Sequence, residues 1–387
     1  DWSSDVCSSD LQLKGSYEWQ TASNSVAGDK SKMNSYELGA SFSLDYPRLL
    51  LPWMKNKSNR FLFPSHTSFK LYVDQLNRAR FFKMLSFGGT VSYDFQPSRT
   101  WKHTVTPFRL AFNTLQHTTS EFDSIINVNK SLALSLGNQF IPAMSYTFTY
   151  DNAPLKKRHN LWWETSFTSA GNVTSLVYAA FGKEMKEKGK ELLGSPFAQF
   201  LKMTSEIRCL FKVGEKQHIA TRLMGGVLYA YGNQTVAPYS EQFYIGGANS
   251  IRAFTVRSIG PGTFHPNADN RYGYIDETGD VKLEANIEYR FPILGDLYGA
   301  TFLDAGNVWL MKKDEARPGG ELTMRNFAKS VALGTGVGLR YDLTFLVIRL
   351  DLGIALHAPY DTGKSGYYNI PKFKDGLGLH FAIGYPF

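Results

Sequence analysis

The segment 281–292 limits the possible folds of this chain more than any other. Its apolar side chains, among them Leu283 and Ile287, occupy every second position, and charged or polar side chains, among them Glu284 and Glu288, lie between them. Successive side chains of a β-strand point to opposite faces, so the segment predicts a strand with one apolar and one strongly polar face. Strands of about 9–11 residues suit a bilayer crossing, whereas strands of soluble proteins are commonly about 5–6 residues long. The segment therefore favours a membrane-spanning strand.

The same period of two recurs along most of the chain. The connections alternate between short turns and long loops, as in outer-membrane barrels, although residues 47–66 are long where a short turn is expected. The charged run 183–193 is interpreted as a short helix in a long loop. We therefore predict an all-β fold, an antiparallel transmembrane β-barrel. About fourteen strands are expected, at 11–20, 36–46, 67–77, 81–95, 101–115, 142–151, 160–169, 197–213, 217–231, 281–292, 297–309, 331–342, 345–357 and 376–387.

Composition is consistent with this fold and restricts the function. The mean hydropathy is −0.26 and no run of about 18 apolar residues occurs, which disfavours a transmembrane helix but not a barrel. The net charge is +8, but the basic residues are scattered, which disfavours nucleic acid as a partner. Two cysteines, Cys7 and Cys209, are too few for a disulfide framework. We find no metal-ligand spacing, nucleophile motif or phosphate loop, so we expect no metal, no cofactor and no enzymatic activity.

The first residues do not follow the strand pattern. They read Asp-Trp-Ser-Ser-Asp-Val-Cys-Ser-Ser-Asp-Leu, which is similar to translated adaptor sequence rather than to a signal peptide. We expect residues 1–11 to be a non-native leader and residues 12–387 to form the barrel domain. On this expectation the native N-terminus is missing.

Three motifs stand out from the strand pattern. The first lies in the glycine-rich segment 244–261, which has no strand period and is too apolar for a disordered loop. The second is Phe-Leu-Asp-Ala-Gly-Asn-Val-Trp at 302–309, and the third is the alternating C-terminal strand. The first motif contains Gly246, Gly247, Ile251, Arg252, Ala253, Phe254, Gly260 and Pro261. The C-terminal strand signal contains Gly376, Leu379, Phe381, Ile383, Tyr385 and Phe387.

With these motifs in this order, the chain resembles the BamA/TamA superfamily of outer-membrane assembly and translocation barrels, from about residue 12 to Phe387. The resemblance implies a sixteen-stranded barrel whose glycine-rich loop joins the eleventh and twelfth strands. Five predicted strands follow that loop here and nine precede it. The first two strands, and the periplasmic domains before them, are therefore expected to be missing. Ala253 stands where the family usually has glycine, and a positive φ there would strain alanine by roughly 1 kcal/mol or more.

The resemblance also implies that the loop 232–280 folds into the lumen and that Arg252 pairs with acids on the inner wall. The alternation independently turns Asp304 and Glu288 inward, and Arg252 is expected to bridge both, bidentate to one. No substrate pocket accompanies these two carboxylates, which disfavours a catalytic role. Three inward glycines should leave room for the loop, namely Gly334, Gly336 and Gly338. A lumenal charge network is expected from Arg340, Asp342, Arg349, Asp351 and His357.

The function implied by the resemblance is insertion of β-barrel proteins into the bacterial outer membrane, or translocation of substrates across it. The partners implied are the lipid bilayer, unfolded β-barrel clients, and periplasmic or lipoprotein accessory subunits. Two alternatives remain open. The first is a passive outer-membrane pore, and the second is a surface antigen or adhesin for which the barrel is only an anchor. A barrel fused to a patatin-like lipase is also conceivable.

Overall fold

A computed structural model describes residues 7–19, 34–50, 63, 65–78, 81–185, 187–265 and 277–387. Fourteen strands form one antiparallel sheet, and two further strands, β8 and β9, form a separate two-residue hairpin. The strands are β1 Ser8–Trp19, β2 Asn34–Tyr46, β3 His66–Arg78, β4 Phe82–Phe95, β5 Trp101–Thr118, β6 Gln139–Asp151, β7 His159–Ala170, β8 Glu191–Leu192, β9 Ser195–Pro196, β10 Phe200–Lys212, β11 His218–Ala230, β12 Val281–Leu294, β13 Leu297–Trp309, β14 Ala332–Asp342, β15 Val347–His357 and β16 Leu377–Ile383.

Each strand of the large sheet pairs with its neighbour in the chain, in the order β1 to β7 and then β10 to β16. All fourteen coincide with predicted strands, so the predicted all-β antiparallel fold is confirmed. The two edge strands, β1 and β16, have no second partner strand among the described residues. Within the same residues, no helix is both long enough and apolar enough to cross a membrane.

The sheet is apolar on its exposed face and charged on its buried face. On β12, Ile287 is 45% exposed, whereas the adjacent Glu288 is completely buried. The same holds on β14, where Leu339 is exposed and Arg340 is buried. A protein in water has the opposite arrangement, because charged side chains are rarely buried and large apolar ones usually are. The exposed face therefore suits lipid, and the charged face lines the interior.

The described parts of the connections contain four α-helices, α1 Ser120–Val128, α2 Lys130–Leu136, α3 Asn172–Ala180 and α4 Phe327–Ser330. The helix predicted at 183–193 is wrong, because the helix of that loop is α3. Gly182 and Gly189 have φ angles of +88° and +77° and bracket only six residues. That length is far below what an isolated helix needs in water.

Both ends of the chain differ from the expected strands. β1 starts at Ser8, which pairs with Asp45, so residues 8–11 belong to the sheet, in contrast to the expectation that the barrel begins at residue 12. Their non-native origin stays a prediction. At the other end, β16 stops at Ile383, and the predicted continuation to Phe387 is wrong. Gly384 has a φ of +85°, which turns the chain out of the strand.

The last residues fold towards the interior instead. The rings of Tyr385 and Phe387 face the guanidinium of Arg290 on β12, with centroids 4.2 Å and 5.8 Å from its Cζ. Leu379, Phe381 and Ile383 remain on the exposed face, as the alternation predicts, and each is more than 60% exposed. Gly376 lies in the 3-10 turn Phe373–Gly376, directly before β16.

Candidate functional site

The long connection between β11 and β12 turns back into the barrel interior. Its residues Ile245, Ile251 and Ile259 are fully buried and pack in one cluster with wall residues such as Val308 and Ala332. The wall around this apolar loop also carries buried charged side chains, and these need polar partners. The loop supplies these partners from its tip.

Two adjacent glycines shape that tip. Gly246 and Gly247 have φ angles of +97° and +92°, a region that favours glycine. A Cβ on Gly246 would lie 2.2 Å from the carbonyl oxygen of Thr255, so the two limbs of the loop touch at their backbones. The N–H of Gly247 donates to the carbonyl of Phe254 at 2.8 Å. Residues 248–253 thereby form a closed turn directed at the wall.

Arg252 projects from this turn and is completely buried. Its Nε donates to Oδ2 of Asp304 and its Nη2 donates to Oδ1, both at 2.8 Å, which is a bidentate pair. Its Nη1 donates to Oε2 of Glu288. The backbone N–H of Arg252 adds a contact to Oδ2 of Asp304 at 3.1 Å. The structure thus brings together the arginine and the two carboxylates that strand alternation turns inward.

An aromatic ring supports the guanidinium group. The Cζ of Arg252 lies 3.4 Å from the centroid of the Phe302 ring, a cation–π contact. Gly336 makes this possible, because a Cβ there would lie 2.4 Å from Cζ of Phe302. The sequence carried a signal for this contact, since Phe302 has the same strand parity as Asp304, but we had not assigned it a role.

The carbonyl of Arg252 points the other way, towards the last two strands. A Cβ on Gly353 of β15 would lie 2.2 Å from this oxygen, and a Cβ on Gly378 of β16 would lie 2.9 Å from it. The Nε2 of His380 on β16 donates to the same oxygen at 2.8 Å. The loop therefore touches an edge strand of the sheet, which sequence reasoning missed.

The three glycines expected to make room for the loop have different neighbours. Only Gly334 faces the loop, where a Cβ would lie 2.6 Å from Cβ of Ala253. Gly336 accommodates Phe302, and a Cβ on Gly338 would lie 2.1 Å from Oδ1 of Asp351. Ala253 itself is not among the described non-glycine residues with positive φ, so its backbone is ordinary and carries no strain. Alanine fits there because position 334 is glycine.

Buried charges extend from the anchor across neighbouring strands. Nη1 of Arg340 donates to Oδ1 of Asp351 at 2.6 Å, and Nη2 donates to Oε2 of Glu288 at 3.0 Å. Arg349 donates to the carbonyl of Ala248 in the loop at 3.0 Å. The four side chains are completely buried, and Ala248 is partly buried. The anchor therefore belongs to a connected network, in which losing one charge leaves others without compensation.

Two residues expected in this network lie outside it. Asp342 is at the end of β14, where its Oδ1 accepts the N–H of Thr344 in the following turn. His357 is at the other end of β15, and its two ring nitrogens contact the carbonyls of Tyr367 and Lys329. Both have the correct strand parity, but they lie too near the ends of their strands to reach the loop tip.

A second ion cluster holds the outer part of the loop. Glu241 accepts from Nη2 of Arg109 on β5 at 2.6 Å and from Nζ of Lys202 on β10 at 3.0 Å. Burial alone would raise the pKa of Glu241, but Lys202 and Arg109 hold it below its ordinary value. No sequence signal pointed to this cluster, because its members lie on β5, β10 and the loop, far apart in the chain.

The end of the glycine-rich segment 244–261 is held by the motif at 302–309. Gly260 has a φ of +87° and precedes a cis peptide bond to Pro261. A Cβ on Gly260 would lie 2.5 Å from Cγ2 of Val308, and Nδ2 of Asn307 donates to the carbonyl of Gly262 at 2.8 Å. The motif residues thus form one assembly on β13. The part of the expected loop at 266–276 lies outside the described residues.

Together, these contacts fix the position of the loop. They place a rigid loop in the interior and connect it to β5 on one side and β16 on the other. Within the described part of the chain, the charged contacts of Arg252 are with carboxylates of the protein itself. The arrangement can hold the loop in one position, or release it as a unit.

Comparison with known proteins agrees with this architecture. A protein-family model described as the Omp85 superfamily domain matches residues 24–387. The outer membrane protein assembly factor BamA of Nitratidesulfovibrio vulgaris is 27% identical over 227 residues, which cover 54% of this chain and 26% of that protein. The sorting and assembly machinery component 50 homolog A of Xenopus laevis is 31% identical over 167 residues, covering 42% of this chain and 34% of that protein. The chain thus spans about a quarter to a third of these relatives.

A solved structure has a similar fold. The crystal structure of BamA from Haemophilus ducreyi lacking POTRA domains 1–3 superposes with a TM-score of 0.61 at 12% identity. The superposition covers 98% of this chain and 70% of that one. At this identity the similarity concerns the fold.

Proposed function

The chain belongs to the Omp85 superfamily, and from this premise we propose that it inserts β-barrel proteins into the membrane in which it lies. That membrane is the bacterial outer membrane. The general role that the family supports is insertion or secretion of proteins, and within that role we propose insertion. It requires no chemical reaction, only a barrel that can offer an edge to a client.

The observation that carries the proposal is the edge strand β16. It has seven residues, whereas the other strands of the large sheet have 11 to 18. One edge pairs with β15, and the other has no partner strand among the described residues. An unpaired edge presents backbone donors and acceptors, and hydrocarbon cannot satisfy them. A client strand added to this edge would satisfy them by β-augmentation.

The filled interior argues against a passive pore. A pore needs an open water path, whereas this interior holds a loop fixed by the fully buried Arg252 and Glu288. The same feature argues against a simple anchor for outer recognition loops, because an anchor has no need of a loop bound to an edge strand through His380.

The experiment is photo-crosslinking in cells at the edge strand. A photo-crosslinking amino acid replaces Leu379 of β16, and a matched control replaces Leu352, its register partner on β15. Both side chains are exposed on the lipid face, but only Leu379 lies on the free edge strand. We expect adducts between Leu379 and newly made β-barrel proteins, and none with Leu352. Equal labelling at both positions, or none at either, would contradict insertion at this edge.

Depletion of the protein separates the remaining functions. Insertion predicts that many outer-membrane β-barrel proteins fall in abundance. If they stay at normal levels while one secreted substrate accumulates in the periplasm, the role is translocation. If neither changes and the purified protein conducts ions steadily without removal of the loop, it is a passive pore. Loss of surface recognition alone would identify an adhesin.

Partners follow from the same proposal. The clients are unfolded β-barrel proteins, and accessory subunits would be periplasmic proteins or lipoproteins. Crosslinked material that contains other membrane neighbours but no β-barrel client would count against the proposed clients.

A further inference from the structure

The helix α3 has its polar side against the protein and its apolar side exposed. Ser175 is completely buried, and its Oγ donates to Oε1 of Gln199 at 3.0 Å. On the opposite side, Val173, Leu176 and Val177 are each more than half exposed, with Leu176 at 59%. These three positions have the i, i+3, i+4 spacing of one helix face. A surface helix of a water-soluble domain has the reverse arrangement.

Two further apolar side chains extend this face. Phe181, directly after the helix, is 85% exposed, and Leu193 is 84% exposed. Leu193 is at the tip of the β8–β9 hairpin with a φ of +51°, a conformation that leucine rarely adopts. The hydroxyl of Tyr178 on α3 donates to the carbonyl of Glu191, which joins the hairpin to the helix. We call these five side chains, Val173, Leu176, Val177, Phe181 and Leu193, the α3 face.

The α3 face continues the lipid-facing surface of the sheet. In the register of β6, β7, β10 and β11, one outward row consists of Met144, Ser169, Leu201 and Tyr229. All except Ser169 are exposed apolar or aromatic side chains. Nδ2 of Asn172, in the first turn of α3, donates to Oγ of Ser169 at 2.8 Å. The helix is therefore fixed to the outward side of the row, where its exposed face adjoins the exposed apolar surface of the sheet.

The charge pattern suits the boundary of a bilayer. Residues 172–182 contain no Asp, Glu, Lys or Arg, and the first charged residue after them is Lys183. An uncharged apolar face followed by a cation fits a helix whose face lies among acyl chains while the lysine reaches the head groups.

We propose that the α3 face is inserted into the bilayer at the membrane interface, as an interfacial anchor of the barrel. Gly171 fixes the position of the helix, because a Cβ there would lie 2.2 Å from the carbonyl of Ala198 and its N–H donates to the carbonyl of Pro142 at 2.7 Å. The strands beside it, β7 and β10, are the seventh and eighth of the fourteen. The anchor therefore acts on the wall farthest in strand order from both edges.

The test measures the membrane depth of single spin labels on the full chain. Cys7→Ser and Cys209→Ser remove the native thiols, and one cysteine is then introduced as Leu176→Cys, Phe167→Cys or Lys188→Cys. Phe167 is an exposed outward residue of β7 and serves as the lipid reference; Lys188 is an exposed loop residue and serves as the water reference. All three positions are exposed, so the labels leave the packing unchanged. Only protein that floats with vesicles of phosphatidylethanolamine and phosphatidylglycerol is measured.

The observable is the ratio of label accessibility to oxygen, which concentrates in lipid, over accessibility to a water-soluble nickel chelate. We expect the ratio at Leu176 to match that at Phe167 and to exceed that at Lys188. A ratio at Leu176 equal to that at Lys188 would place the helix in water and overturn the proposal. Low accessibility to both reagents would mean that protein, such as a second copy of the chain, covers the α3 face, and would overturn it equally.

Discussion

Replacing Arg252 with alanine should release the loop from the barrel wall. The guanidinium group makes a bidentate contact with Asp304, a contact with Glu288 and a stacking contact with Phe302, all completely or almost completely buried. Removing one partner of a buried ion pair typically costs about 3–5 kcal/mol, because the other charge stays buried without compensation. At about 1.4 kcal/mol per factor of ten, the population of the released loop should rise roughly a hundredfold to several thousandfold.

Hydrogen exchange detected by mass spectrometry measures this release in the membrane-reconstituted protein. The reporting amides are those of Gly247 and Phe254, which are bonded within the loop, and of residue 252, which is bonded to Asp304. Their exchange in the Arg252→Ala variant should accelerate by the factor given above, while amides in the middle of β12 keep their protection.

Arg208→Ala is the matched control for this substitution. The side chain of Arg208 is 42% exposed and pairs with Glu206, and exposed pairs contribute only about 0–1 kcal/mol. Its removal should therefore accelerate exchange of the loop by no more than about fivefold. If Arg252→Ala changes loop exchange no more than Arg208→Ala does, the buried contacts of Arg252 do not hold the loop, and the reasoning is refuted.

Three further substitutions test the surroundings of the loop with the same exchange measurement. Gly353→Ala places a Cβ 2.2 Å from the carbonyl oxygen of Arg252, and this clash should cost about 1–3 kcal/mol and accelerate hydrogen exchange of the loop. Unchanged exchange would show that the two backbones are not in tight contact. Despite burial, cationic neighbours hold the pKa of Glu241 below its ordinary value, so this carboxylate stabilises the loop at neutral pH and the stabilisation is lost as the pH falls through the lowered pKa. Hydrogen exchange of residues 239–243, corrected for intrinsic rates, should therefore accelerate at low pH. Glu241→Gln should abolish this pH dependence. His380→Phe removes a hydrogen-bond donor to the Arg252 carbonyl and should accelerate hydrogen exchange in β16 by about tenfold or less. An effect confined to the loop would show that β16 is not coupled to the loop.

The strands could be predicted because their signal is local. Alternation along β12 and β13 gives both the face of every residue and the partners of the anchor, Glu288 and Asp304, without any knowledge of neighbouring strands. The pairing of Arg252 was implied by the family resemblance of its loop, and the alternation supplied only the inward carboxylates.

Contacts across the interior could not be predicted in this way. His380 and Gly353 reach Arg252 only because the sheet curves round the loop, and no period within β15 or β16 indicates that curvature. The turn at Gly384 was missed because glycine is compatible with a strand as well as with the positive φ that it adopts here. The helix α3 was missed because its apolar positions in a nine-residue segment are too few to establish a helical period against the surrounding strands.

The position of His380 also determines when the loop can take up its final place as the protein folds. Arg252 lies 52 residues before Asp304 and 128 residues before His380, so its contacts are among the long-range ones that form late. Its guanidinium can pair once β13 has joined the sheet, but the donor that its carbonyl has among the described residues, His380, arrives only with β16. A loop that is fully bound therefore exists only in a chain whose strand β16 is in position, and the bound loop distinguishes a sheet that has added β16 from one that has not.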